Sequence, residues 1–354
     1  LKLRVAYDVT SCIVGDTGVA RHTPPVARAQ PAHGVTVQPF ALGRASQPVP
    51  AGTRWIRVPL RLLHAAWSTA HVPRLDWLVP AADIVHTDLL VPPTKRPVVV
   101  TVYDLDAVQH PDLHPARSVQ NQQAMLDSLV RAAAVVAISQ TTADALHGRG
   151  VPGDRIVVAP SGLTPLPDAA PARLAGAERY VLHVGSLHRR KGLDVLLTAW
   201  AAAAVPHDVV LVLAGPNGNA ADALRAQAAE LGLGDRVRWE GRVDDARLAS
   251  LYAGASAACF PSRSEGFGLP VLEAMAAGIP LVASDIPAFR EVAAGAGILV
   301  PVDDAGALSD AIAGVLAGDV SVGQRVRVGR ERAALFTWDA CASRTVQAYE
   351  RAAA

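Results

Sequence analysis

The stretch Ala257–Asp285, AACFPSRSEGFGLPVLEAMAAGIPLVASD, constrains the chain more than any other. Its opening apolar run, Ala257 to Phe260, has the length and composition of a buried parallel strand. A turn-rich loop, Pro261 to Gly268, comes next. Pro270 in the favoured first position and Gly278 as a left-handed C-cap predict a helix between them. A second apolar run, Ile279 to Ala283, reads as the following strand. The unit is strand, glycine loop, helix, strand, and the backbone N–H groups at its helix start favour an anion, phosphate above all. Glu265 precedes that helix and Glu273 lies in its second turn. A phosphate repels both, so hydrogen bonds from sugar hydroxyls explain them better.

The same alternation runs along the whole chain. Strands are expected at Leu3–Val9, Val35–Phe40, Asp83–His86, Pro97–Val102, Ala134–Ser139 and Ile156–Pro160, with helices over Pro115–Ala132 and Thr141–Gly148. Leu163 to Ala175, with Pro165, Pro167 and Pro171, reads as a linker. A second series follows, with strands at Tyr180–Gly185, Val209–Gly215 and Val237–Val243 and helices over Asp222–Leu231 and Asp245–Ala253. Two doubly wound domains are expected, residues 1–172 and 173–335, each binding ligands at the carboxyl ends of its strands. Gly18, Tyr103 and Ser139 fall at such ends in the first domain.

Composition agrees with two large cores: 354 residues, 51% hydrophobic, mean hydropathy +0.24. Residues 1–172 carry a basic excess and no Glu, while the remainder is slightly acidic, as two unlike domains would be. The net charge of +1 gives no hint of nucleic-acid binding. The longest apolar runs, such as Ala199–Val205, are far short of the ~20 residues of a membrane span. Cys12, Cys259 and Cys341 are odd in number and widely spaced, which argues for a reducing, cytoplasmic compartment and against a disulfide frame or zinc site. The opening residues read as a first strand without a cleavable signal pattern, and the absence of Met places Leu1 just inside the expected native start.

Three further segments invite chemistry. Ser186–Gly192, SLHRRKG, sets a basic cluster between a strand end and a helix, where it can neutralise a diphosphate; a solvated charge run is the plainer alternative. Asp104-x-Asp106 has the form of a metal-binding carboxylate pair, a triplet that also arises often by chance. From Arg61 an amphipathic helix with interleaved basic and aromatic residues is expected. Either it contacts an anionic membrane surface or a lipid-linked acceptor, or it packs as an ordinary helix with solvated arginines. The Gly15–Gly18 loop after the first strand marks a close backbone approach, or a structural turn, but lacks the G-x-G-x-x-G spacing of a dinucleotide site.

The run Glu265-Gly-Phe-Gly-Leu-Pro-Val-Leu-Glu273-Ala-Met-Ala-Ala-Gly278 resembles the E-x7-E segment of family-4 retaining nucleotide-sugar glycosyltransferases, which have the GT-B fold. Ser186–Gly192 resembles the family's R-K-[GN] loop, Gly15–Thr23 its first loop, and Thr101-Val-Tyr-Asp-Leu105 its T-V-H-D-L segment. The match covers most of the chain, strongly from about residue 180 to 318. Pro24-Pro25 depart from the uninterrupted helix usual after the first loop, and Tyr103 replaces a His thought to contact the donor sugar.

The resemblance implies a nucleoside diphosphate sugar donor, no cofactor and no metal. It implies that Arg190 and Lys191, with Ser186, Leu269 and the Gly268 N–H region, hold the diphosphate. Glu265, Gly266 and Phe267 would hold the sugar, Glu273 the ribose, and Arg242 and Val243 the base. Gly18 and Tyr103 would complete the donor site from the first domain. Residues 336–354 would be a helix crossing back to that domain. The implied acceptor is a glycan, a lipid-linked species or a small molecule; peripheral contact at the inner membrane face is the expectation that the amphipathic helix from Arg61 carries. A phosphorylase, a sugar-nucleotide epimerase and a non-catalytic binding protein remain alternatives that would use the same phosphate machinery.

Overall fold

The computed structural model describes residues 3–14, 18–206, 208–318 and 321–354, and the chain divides into two compact units. The first unit holds a seven-stranded parallel sheet: β1 (Leu3–Asp8), β2 (Val35–Leu42), β3 (Arg54–Ile56), β4 (Ile84–Thr87), β5 (Val98–Val102), β6 (Ala134–Ala137) and β7 (Ile156–Val158). Its order is β3-β2-β1-β4-β5-β6-β7, so the winding reverses between β1 and β4. The second unit holds six parallel strands: β8 (Arg179–Val184), β9 (Val209–Ala214), β10 (Val237–Gly241), β11 (Ala257–Phe260), β12 (Leu281–Ser284) and β13 (Ile298–Val300). They run β10-β9-β8-β11-β12-β13, with the reversal between β8 and β11. Both sheets are doubly wound, as the apolar runs imply.

The core strands are buried because helices cover both faces, so their sequences are continuously apolar. Val98–Val102, Val209–Ala214 and Ala257–Phe260 are buried at every position. The three-residue β3, at the sheet's edge and partly exposed, lacks that signature and was not expected. In the opening motif the helix runs Leu269–Ala277. Gly268, in the left-handed region at φ 108°, precedes it, and Gly278, at φ 69°, ends it. Side chains are excluded at Gly268, where a Cβ would lie 2.9 Å from the Phe289 ring.

The unit boundary falls at Thr164–Pro165, ahead of the break expected after residue 172. Two backbone hydrogen bonds account for the position: Leu163 N–H donates to Phe336 O at 2.8 Å in the first unit, and Ala172 N–H donates to Ser250 O at 2.9 Å in the second. The proline-rich tail of the linker is therefore already part of the second unit. Phe336–Ala354 belongs to the first unit. Its helix, Trp338–Ala353, starts at Thr337, whose hydroxyl accepts the Ala340 N–H, and buries Cys341, Val346 and Tyr349 against the first sheet.

Gly15, Asp16 and Thr17 of the first glycine loop lie outside the described residues. Gly18 opens a helix, Gly18–Ala29, that continues through Pro24 and Pro25, so the expected interruption does not occur. Each proline forfeits one helical hydrogen bond, and packing supplies the compensation: His22, Thr23 and Val26 are buried, and Val26 belongs to the core that the C-terminal helix completes. Tertiary burial overrides local propensity here.

That core contains a buried polar chain. His86 meets Tyr349 Oη through Nδ1 at 2.5 Å and Thr101 Oγ1 through Nε2 at 2.7 Å, and Gln30 Nε2 donates to Tyr349 Oη at 3.0 Å. Burial, with a smaller contribution from His22, lowers the His86 pKa from 6.5 to about 3. Because the folded value is depressed, the fold's advantage from neutral His86 is complete above about pH 6.5 and is lost as pH falls toward 3, by ~1.4 kcal/mol per pH unit. His86→Gln should thus be less stable than the parent at neutral pH, with the gap narrowing as pH drops through that window. Urea unfolding at a series of pH values measures it; a gap independent of pH would show that His86 is not held neutral.

Candidate functional site

Both ingredients of the sequence argument meet at the winding reversal of the second sheet. The loop after β8 carries Arg190 and Lys191 in a short 3-10 turn, Arg189–Lys191, and the loop after β11 carries Glu265. Crevices beyond strand ends at such a reversal are where doubly wound sheets bind ligands. Arg190 Nη1 donates to Glu265 Oε2 at 2.7 Å and Lys191 Nζ donates to Oε1 at 2.5 Å. Ser262 Oγ adds a bond to Oε1 at 2.8 Å, and Arg190 Nη1 also reaches Ser264 O at 3.1 Å. The Lys191 and Glu265 side chains are only 8% and 9% exposed, against 22% for Arg190, so water screens this set little.

Burial alone would raise the pKa of Glu265. The adjacent Arg190 and Lys191 cations and their hydrogen bonds outweigh it and hold the carboxyl well below the usual range. The two loops approach so closely that Gly192, at φ 64°, has no room for a side chain: a Cβ there would overlap the carbonyl oxygen of Pro261. The N-terminus of helix Leu269–Ala277 begins just past Glu265, after Gly266, Phe267 and Gly268, all buried. Two cations, one carboxylate and a helix N-terminus leave a net positive site suited to a multiply charged anion.

Glu273 stands in the same helix, half-buried, and accepts from Tyr252 Oη at 2.9 Å. At the ends of β9 and β10 lies a cavity of about 320 Å³ whose lining includes Leu187, Pro216, Trp239, Gly241 and Arg242. Val243 is not among the lining residues, and Ser186 sits in the turn just before Leu187. The sequence reading did not single out Ser262, Tyr252 or His183. His183 is fully buried in β8, with Nδ1 at 2.9 Å from Cys259 O and its pKa lowered to about 4, chiefly by burial. A histidine inside an apolar strand run was the available signal.

In the first unit, the reversal between β1 and β4 places Asp8 beside Thr87, whose hydroxyl donates to Asp8 Oδ2 at 2.9 Å. Burial raises Asp88 to about 7, with the Asp8 charge adding to it. Tyr103 Oη lies 3.2 Å from Thr23 Oγ1 and 3.3 Å from His22 Nδ1, and burial pushes its pKa well above 10, so it is a neutral phenol. Ser139 caps helix Gln140–Gly148 by accepting the Thr142 N–H. Asp104 Oδ1 accepts from Asp106 N–H at 3.1 Å and from Gln122 Nε2 at 3.0 Å. Among the described residues no group of three or more His, Cys, Asp or Glu side chains is placed to hold a metal ion.

Comparison with known proteins agrees with this architecture. Residues 168–332 match the family model for glycosyl transferases group 1, and residues 17–165 match that for glycosyltransferase family 4. The O-antigen chain mannosyltransferase B of Escherichia coli is 30% identical over 307 residues, covering 82% of this chain and 80% of that one. A phosphatidyl-myo-inositol mannosyltransferase of Mycobacterium leprae is 37% identical over 208 residues, 57% of this chain. That match spans about half of the relative, 55% of its length. Among solved structures, a sucrose-phosphate synthase from Thermosynechococcus elongatus superposes with a TM-score of 0.75 at 25% identity over 98% of both chains. The Anabaena protein HepE in complex with UDP and glucose, at 18% identity and a TM-score of 0.70, shares the fold over 98% of both chains. The fold is GT-B, and the chain belongs to the family-4, group 1 glycosyltransferases.

Replacing Glu265 by Gln leaves the buried Lys191 ammonium without its carboxylate, which should cost about 3 kcal/mol of stability. Since Glu265 stays ionised far below the ordinary range, its contribution is present above the unfolded carboxyl pKa and is lost only in strong acid. The deficit of Glu265→Gln should therefore hold steady from about pH 8 to about pH 5. Denaturant unfolding checks both points, and an equally stable variant would contradict the pairing.

Proposed function

We propose that the chain is a retaining glycosyltransferase that moves a hexosyl group, mannosyl or glucosyl in type, from a nucleoside diphosphate sugar to an acceptor hydroxyl. The observation that carries this reading is the Arg190–Lys191–Glu265 set at the start of helix Leu269–Ala277. In it Arg190, Lys191 and the N–H groups near Gly268 and Leu269 bind the diphosphate, and their cationic field is worth most as leaving-group charge grows in the transition state. Glu265 and the backbone of Gly266–Gly268 hold the sugar, Glu273 the ribose, and the cavity beside Arg242 the base. The departing phosphate accepts the acceptor's proton on the face it leaves, so the anomeric configuration is retained. Two side-chain cations and a helix terminus supply the neutralisation that a divalent metal gives elsewhere. The mannosyltransferase names of the Escherichia coli and mycobacterial relatives support the choice of hexosyl group. Glycans, lipid-linked species and small molecules are the proposed acceptor classes. The free thiols of Cys12, Cys259 and Cys341 favour a cytoplasmic setting.

Arg190→Ala and Lys191→Ala should each lose about 2–4 kcal/mol of transition-state stabilisation, read as kcat/KM against nucleoside diphosphate hexoses. Proton NMR of the product should show the donor's anomeric configuration, and turnover should persist in EDTA. Unchanged turnover in both variants would remove the diphosphate assignment; inverted product or a strict metal requirement would remove the mechanism.

Helix Leu60–Thr69 leaves Leu62 68% exposed, near in sequence to Trp77 at 66%, with Arg57 and Arg61 also exposed. We propose that these residues make peripheral contact with an anionic membrane surface. No helix of the described residues is long and apolar enough to cross a membrane. Sedimentation with anionic vesicles at low salt should carry down the parent chain and not Leu62→Asp; co-sedimentation indifferent to lipid charge would exclude the contact.

A further inference from the structure

Arg263 lies in the loop after β11, two positions before Glu265, and was read from the sequence only as part of a turn. Its guanidinium makes a bidentate pair with Asp194, Nη1 to Oδ1 at 3.0 Å and Nη2 to Oδ2 at 2.7 Å. Nε donates to Asp303 Oδ1 at 2.7 Å, and Nη1 also donates to the carbonyl of Arg189 at 2.7 Å. The backbone joins in, because Arg263 N–H donates to Arg190 O at 2.8 Å. One residue thus ties the Glu265 loop to the 3-10 turn bearing Arg190 and Lys191, to the first turn of helix Leu193–Ala202 and to the loop after β13. Asp303 sits at φ 62°, an uncommon backbone conformation that Asp tolerates better than most residues.

We propose that Arg263 is a positioning residue for diphosphate binding: with Asp194 and Asp303 it fixes the Arg190–Lys191 turn against the Glu265 loop without itself contacting the donor. Bidentate and charge-assisted bonds are directional, so they set an orientation as well as a distance. The carbonyls of Arg189 and Arg190 are both held, which leaves the 3-10 turn little freedom to rotate its two cations away. Ordering those side chains beforehand removes a cost that binding would otherwise carry. The neighbouring Gly192 contact with Pro261 keeps the loops within reach, but a glycine contact has no orientation to impose.

The inference rests on the diphosphate reading above, and its test keeps the two apart. GDP, UDP and inorganic pyrophosphate are titrated by calorimetry into the parent chain and into Lys191→Ala, Arg263→Ala, Arg263→Lys and Asp303→Asn. Arg263→Ala should bind the diphosphates roughly tenfold or more weakly, and Arg263→Lys, which keeps the charge but loses the fork, should not restore binding. Asp303→Asn, a change at a half-exposed carboxylate, should weaken binding in the same direction and serves if Arg263→Ala does not fold. A donor KM raised together with a lowered kcat, with an unchanged melting temperature in Asp303→Asn, separates positioning from general stability. If Lys191→Ala binds as the parent does, the diphosphate reading fails. If Lys191→Ala loses binding while Arg263→Lys and Asp303→Asn keep it, the positioning role fails.

Discussion

A single buried carboxylate organises the second unit's site. Glu265 accepts from Arg190 and Lys191, 75 and 74 positions away in sequence, and Lys191 is too enclosed to rely on water for its neutralisation. Separately, each of these groups would be expensive to bury; together they make a small, nearly dry charge cluster of net positive sign. The rest of the unit meets the demands of that cluster. Parallel strands β8 and β11 put the two loops side by side at the winding reversal, glycine at 192 lets their backbones touch, and the Gly268 turn starts a helix toward the same spot.

The cluster also bears on how a donor would be received. Glu265 accepts from Arg190 Nη1 and from Lys191 Nζ, the two cations that the proposed function gives to the diphosphate. Under the proposed function, an arriving diphosphate shares those cations with the carboxylate, and sugar hydroxyls donate to Glu265. The depressed pKa of Glu265 keeps it an acceptor throughout the physiological range. It therefore suits a residue that orients a sugar and not one that donates a proton to it.

Most of the fold was legible in the sequence because buried parallel strands are continuous apolar runs between glycine-bearing loops. The exceptions have local causes. Strand β3 is three residues long at a partly exposed edge, so no run marks it. Helix Gly18–Ala29 passes through Pro24 and Pro25 because packing of its buried face outweighs two lost hydrogen bonds. Of the candidate site, Glu265, Arg190 and Lys191 were pointed to by the resemblance of their segments to the family's loops, but not their mutual pairing, which only the sheet order brings about. Arg263 was legible only as one residue of a turn, since both its carboxylate partners are distant in sequence. Tyr252 and His183 were hidden inside a helix and a strand whose apolar pattern already explained them.

The diphosphate assignment is tested most directly by a crystal structure of the chain with GDP or UDP bound. Diphosphate oxygens are expected within about 3 Å of Arg190, Lys191 and the Leu269 N–H, with Glu265 still beside the two cations. A nucleotide bound with its diphosphate elsewhere, and the Arg190–Lys191–Glu265 set untouched, would contradict it.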